Sequence, residues 1–428
     1  MERFINDFLE YLDHSPCSFQ AAEQSISRLA RAGFGELPED KEFILKPGGK
    51  YYVRRNDSAV IAFVMGSKPT KQTGIRLAAS HLDSPLLKLK PETIKTDNGL
   101  CRIAVEVYGG PIIHTWTDRE LSIAGRVVLR LGNGSKTKLK SVMVNLKAPL
   151  AIIPNAAIHL NRDVNKGFEY NKQSHLQAYL STSSSSQNPL IDLLAKELHV
   201  EPEHIGEMDL YLYDVAKAAV IGTDKDMISS GRLDNLAMSH AIVSAFCEVK
   251  TPKCTTMAVL YDNEEIGSQT LMGAQGSFLG DILERISIAS GLTREEHLIV
   301  LKKSFLISAD MAHAFHPSYA EKYDPAYAPA MNGGPVIKMN ANYRYSTTSE
   351  SASEFIRLCE KSGISCQKFM TRSDLPCGST IGPIASSLLG IKTIDIGNPM
   401  WAMHSIRETC GVKDHCELIK VLGTFYKE

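Results

Sequence analysis

Beyond residue 229, apolar runs of strand length alternate with stretches of helical period, and this alternation limits the folds open to the chain. Leu236 to Glu248 has helical spacing, Thr256 to Leu260 is a short apolar run, Ser268 to Ala289 reads as largely helical, and Ser304 to Ser308 is again a buried strand. A helix at Glu350 to Ser362 and a strand at Thr393 to Ile396 continue the series. Strands apolar throughout must be covered on both faces, and intervening helices supply the cover, so an α/β sandwich is predicted. The N-terminal part fits the same scheme. Phe4, Ile5, Phe8, Leu9 and Leu12, then Ala22, Ile26 and Leu29, describe two amphipathic helices broken at Ser15–Pro16. Strands follow at Tyr51 to Arg55, Ala59 to Met65 and Ile75 to Ala79. From about 91 to 228 shorter alternating runs (Ile103 to Tyr108, Gly125 to Arg130, Ser141 to Leu146) predict antiparallel sheet, and the serine-rich segment from Ser181 reads as a loop. The expected architecture is a discontinuous α/β domain, 1–90 and 229–428, built as a three-layer sandwich around a central mixed sheet. A β-rich domain is inserted at 91–228.

A chain of 428 residues is long enough for two such domains. Its formal net charge of -1 argues against nucleic-acid or anionic-membrane partners. No segment reaches the roughly 18 uninterrupted apolar residues of a membrane span, and the N-terminus shows no signal-peptide core. Nine cysteines without a Cys-x-x-Cys pair read as reduced thiols, which places the chain in the cytosol.

Histidine and carboxylate side chains recur at the ends of predicted elements. His81 closes the strand from Ile75, with Asp83 two residues on. The pair reads as a metal ligand oriented by a carboxylate, or as a strand-end histidine capped locally. Glu264 and Glu265 follow the strand Met257 to Tyr261, where one can bind a cation and its neighbour take a proton; solvated glutamates are the alternative. Asp234 precedes a helix and reads equally as an N-cap. Asp310 ends the run Phe305 to Ala309, and His404 follows a strand and the Gly397-Asn-Pro turn. Imidazole and carboxylate at five element boundaries are jointly the donor set of a two-metal hydrolase. Lys338, after the Gly333-Gly-Pro turn, lines a pocket or is solvated, and the Arg372 to Thr380 segment reads as a connection. His159, alone in an apolar strand-like stretch, reads as core, and Trp116 as structural.

In their order and spacing these segments resemble the aspartyl aminopeptidase family of dinuclear zinc exopeptidases. The motifs are Leu45 to Val53, Ser80 to Pro85, Tyr108 to Pro111, Ala157 to Arg162, Ser230 to Asn235, Asp262 to Ser268, Ala309 to His313 and Met403 to Glu408. The resemblance implies His81, Glu265, Asp310 and His404 as metal ligands and Asp234 as a bridge between two divalent ions. Those ions are zinc, with manganese and cobalt suited to the same donors. It implies Glu264 as the general base acting on metal-activated water and Asp83 as the partner of His81. Lys338 matches a residue associated with an acidic first residue of the substrate. His159 matches one that reaches an active site across a subunit interface. The family forms dimers, through the inserted domain, and tetrahedral dodecamers that admit only peptides. The expectation is an aminopeptidase favouring N-terminal Asp or Glu. An enzyme of neutral or broad preference, or a co-catalytic carboxypeptidase or deacylase, is the alternative.

Overall fold

Strand Ala59–Val64 is buried at every position, and its side chains divide between two cores. Val60, Ala62 and Val64 enter one, Ala59, Ile61 and Phe63 the other. Strand Thr255–Tyr261 divides in the same way, with Ala258 and Leu260 opposite Met257, Val259 and Tyr261. Helices Glu2–Asp13, Ser18–Arg31, Leu233–Cys247, Ser349–Lys361 and Val412–Lys427 cover the first face. Phe278–Ala289, Arg294–Lys303 and Ile381–Leu389 cover the second, completing three layers. The structure, a computed structural model, describes residues 2–132 and 137–428. The chain divides into two units, Met1–Asp83 with Ala218–Met403 and Glu408–Glu428, and Ser84–Lys217 with His404–Arg407.

The central sheet of the larger unit is mixed and nine-stranded. Its order is Gly35–Glu36, Lys50–Arg55, Ala59–Val64, Thr255–Tyr261, Ile75–His81, Phe305–Ala309, Lys392–Gly397, Val336–Met339 and Gln367–Met370. Ile75–His81 runs parallel to both neighbours, with Tyr261 opposite His81 and Ser308 opposite Ala79. Three carboxyl ends therefore open on one edge, and the residues that follow them converge there. A second sheet of this unit pairs Met227–Ser230 with Glu408–Gly411, placing Ser230 opposite Glu408. The smaller unit carries an antiparallel sheet that includes Leu86–Leu89, Leu100–Tyr108, Leu121–Leu131, Lys138–Asn145 and Ile205–Asp214.

The two N-terminal helices break where expected. Residues 268–277, expected to be helical, form a folded loop, and the helix begins only at Phe278. Gly273 and Gly276 pack so closely on the carbonyls of Ser268 and Thr270 that a Cβ there would lie 2.2 and 2.5 Å from them. Helices Arg294–Lys303, Ile381–Leu389 and Val412–Lys427 are additions to the predicted set.

A polar chain, buried except at the half-exposed Asp7, ties the first helix to the core. Asp7 accepts from Arg28 Nη2 at 2.9 Å and from His240 Nε2 at 2.9 Å, while His240 Nδ1 lies 2.9 Å from His415 Nε2. Because the carboxylate can only accept, His240 carries its proton on Nε2, and its Nδ1 accepts a hydrogen bond from the Nε2–H of His415. Burial holds both imidazole pKa values below the ordinary value, His415 farthest, with Asp7 pulling the other way. Such groups bind protons more readily once unfolded, so their contribution is complete above about pH 6.5 and is lost as pH falls below it. The slope is about 1.4 kcal/mol per pH unit for each proton taken up only on unfolding. Between pH 7.5 and 5.5 the urea midpoint of wild type should therefore lose ground relative to that of His415→Leu, which lacks one such imidazole. A slope unaltered by the substitution would contradict this account.

Candidate metal centre at the carboxyl edge of the sheet

His81 is the last residue of its strand and is buried. Its Nδ1 lies 3.1 Å from Asp83 O and 3.2 Å from Asp83 Oδ1, both acceptors. Nδ1 therefore carries a proton, and Nε2 faces inward, 3.8 Å from Asp234 Oδ1 and 3.9 Å from Glu264 Oε2. The same Asp83 carboxylate accepts the backbone N–H of Glu264 on Oδ1 and that of Glu265 on Oδ2, each at 3.1 Å. One side chain thus sets the imidazole and the diglutamate turn together.

Asp234 stands at the start of helix Leu233–Cys247, where the backbone is non-helical at Asp234 and Asn235 and the peptide between them is cis. Its N–H donates to Glu408 Oε2 at 3.1 Å, and Asn235 Nδ2 donates to Ala309 O at 3.0 Å, beside Asp310. Asp310 is buried, with its Oδ2 3.7 Å from Lys338 Nζ. Among the described residues, donor atoms of His81, Asp234 and Glu265 lie within 4.8 Å of one another.

The electrostatics show a surplus of negative charge. Burial is the largest influence on Glu264 and raises its carboxyl to about 8; His81 opposes this, while Asp310, Asp83 and Asp234 add to it. Asp310 is raised as well, by burial first and then by Asp234, against Lys338 and His81. Burial opposes a charge on His81, but hydrogen bonding to Asp83 and the nearby Glu264, Asp83 and Asp310 hold its pKa well above the ordinary value. Carboxylates gathered around an imidazole whose Nε2 faces them suit a divalent cation, and nitrogen with oxygen donors suits zinc.

Lys338 is not solvated. It lies buried inside strand Val336–Met339, its Nζ donating to Met311 O at 3.0 Å and standing 5.1 Å from the centre of the Tyr345 ring. His159 is exposed in a turn of the smaller unit, so it is not a core residue. Trp116 is buried, as a structural residue should be. His404 also belongs to the smaller unit, where its Nδ1 donates to Gly110 O at 3.1 Å, so that Nε2 carries the lone pair. The sequence pattern assigns no role to Tyr345, Asn235 or Glu408. Of these, Glu408 and Asn235 stand inside recognisable motifs, and nothing local marks Tyr345.

A three-layer α/β sandwich with imidazole and carboxylates converging at the carboxyl edge of its sheet has the build of a metal-dependent hydrolase. Comparison with known proteins defines it further. The chain belongs to the M18 peptidase family, described as Aminopeptidase I zinc metalloprotease, whose model matches residues 11–426. It is a zinc metalloaminopeptidase, an exopeptidase of the hydrolase class. "Probable M18 family aminopeptidase 2" of Clostridium novyi is 42% identical, over 99% of this chain and 98% of the relative. A chain in the cryo-EM structure of the Ape4 and Nbr1 complex matches with a TM-score of 0.94 and 35% identity, covering 100% of this chain and 86% of that one. The S. cerevisiae mApe1 dodecamer matches at 0.86 with 28% identity, over 99% of this chain and 96% of that one. Among the described residues, no helix is long and apolar enough to cross a membrane.

Proposed function

We propose that this aminopeptidase uses two divalent ions, zinc foremost, to release N-terminal residues from peptides, with Glu264 as general base and a preference for Asp or Glu. The arrangement around Asp83 carries the proposal, because a single carboxylate holds the metal-facing tautomer of His81 and the backbone of both glutamates. His81, Asp234, Glu265 and Asp310 would hold metal, Asp234 being shared. His404 keeps the ligand role implied by family resemblance, on the strength of its own tautomer. Bound metal supplies Lewis acidity, polarising the scissile carbonyl and acidifying water. Glu264 accepts the proton of the attacking water and returns it to the departing amine. Asp83 keeps His81 and Glu264 aligned through both protonation states.

Lys338 supports an acidic preference because it is a cation within the wall of this region, 3.7 Å from Asp310. The same pairing favours a second reading, neutral or broad preference, since Asp310 already engages part of that charge. A panel of aminoacyl substrates separates them. An acidic reader loses about tenfold or more of its Asp-over-Leu ratio in kcat/KM on Lys338→Met; a broad enzyme shows no such ratio to lose. Acetylation of the substrate's α-amine should abolish turnover, whereas a carboxypeptidase or deacylase would still cleave the blocked peptide.

The chain is proposed to form dimers through its β-rich unit, and these dimers to build a tetrahedral dodecamer. Exposed Ile158 and Leu160 flank His159 there and suit burial against another subunit, which would bring His159 to a neighbouring active site. The nine free cysteines support a reducing, cytoplasmic setting.

A further inference from the structure

Asp234 and Asp310 lie far apart in sequence and on different elements, yet both must be held to a fraction of an ångström if they share metal. The structure shows what joins them. Strand Glu408–Gly411 pairs antiparallel with Met227–Ser230, and the register sets Glu408 opposite Ser230, four residues before Asp234. The buried Glu408 carboxylate then meets the Asp234 N–H at 3.1 Å. The next residue, Asn235, is completely buried and donates from Nδ2 to the carbonyl of Ala309, which directly precedes Asp310. Asp310 is itself anchored by its N–H to Ile396 O at 2.9 Å. The non-helical dipeptide Asp234–Asn235 is therefore fixed at its amide by Glu408 and at its second side chain by the Asp310 strand.

We propose that Glu408 and Asn235 are positioning residues that clamp Asp234 and Asp310 into one metal-binding geometry. This rests on the reading of Asp234 and Asp310 as metal ligands. A backbone amide without its acceptor would be free to rotate the Asp234 carboxylate, and partners that orient metal ligands typically contribute 10–100-fold in metal affinity.

The test is zinc affinity of the full chain, measured by competition with a chromogenic zinc chelator, alongside thermal melting of the metal-free protein. Glu408→Ala should weaken zinc binding about 10–100-fold. Glu408→Gln keeps an oxygen acceptor for the amide and should stay within about threefold of wild type, a rescue that general loss of packing would not show. Asn235→Ala should weaken zinc binding in the same direction and serves as the test if Glu408→Ala does not fold. Wild-type zinc affinity in folded Glu408→Ala or in Asn235→Ala would overturn the clamp, as would a loss in Glu408→Gln equal to that in Glu408→Ala. Absence of zinc binding by the wild-type chain would instead overturn the underlying metal assignment.

Discussion

Glu264→Gln is expected to keep its metal and lose kcat by about 10²–10⁴-fold, the usual contribution of a positioned general base. The substitution is nearly isosteric. What fixes this turn is the Glu264 backbone N–H on Asp83 Oδ1, which the amide variant retains. Neighbouring Glu265, held through its own N–H on Asp83 Oδ2, is undisturbed. Only the capacity to accept a proton from water changes. Metal content by elemental analysis should match wild type while kcat on an aminoacyl substrate collapses and KM changes little. Turnover at the wild-type rate would remove Glu264 from the base role. Loss of metal in the same variant would make it a ligand instead.

Removing metal should have the larger effect, because Lewis acidity and the electrostatic balance of the site disappear together. After exhaustive chelation, turnover should fall below detection, and stoichiometric zinc should restore it. Stability should move with it. In the metal-free protein Glu264, Asp310, Asp83 and Asp234 act on one another across a buried space, which is why burial and like charge raise the Glu264 and Asp310 carboxyls. A cation bound only by the folded state contributes about 4 kcal/mol at a free concentration roughly 1,000 times its dissociation constant. The melting temperature should therefore drop on chelation and recover on adding zinc. Activity that survives complete removal of metal would sink the metallopeptidase mechanism as a whole.

Much of this was legible in the residue pattern because the relevant signals are local. Fully apolar runs such as Thr255–Tyr261 announce a strand covered on both sides, and His81, Glu264 and Asp310 could be placed at strand ends because the runs stop there. The motif order carried the family, which comparison over residues 11–426 bears out. Other elements escaped for identifiable reasons. Helix Arg294–Lys303 opens with a capping box at Thr293 and Glu296, a readable signal, but it buries only His297, Val300 and Leu301 and so has a weak apolar stripe. The loop at 268–277 has the look of a helix in sequence because close backbone packing of Gly273 and Gly276 leaves no mark on periodicity.

The residue pattern alone announced the α/β sandwich and set the candidate donors, His81, Asp234, Glu264, Glu265 and Asp310, at the ends of elements, since both follow from where apolar runs start and stop. The protonated nitrogen of His81 was settled only when a carbonyl and a carboxylate of Asp83 folded onto Nδ1. Lys338 became a buried partner of Asp310 rather than a solvated cation because its strand is interior to the sheet. Glu408 met the Asp234 amide across 174 residues of sequence because an antiparallel register put it there. Hydrogen-bond partners and charge balance depend on distances between remote elements, and no periodicity along the chain encodes those distances.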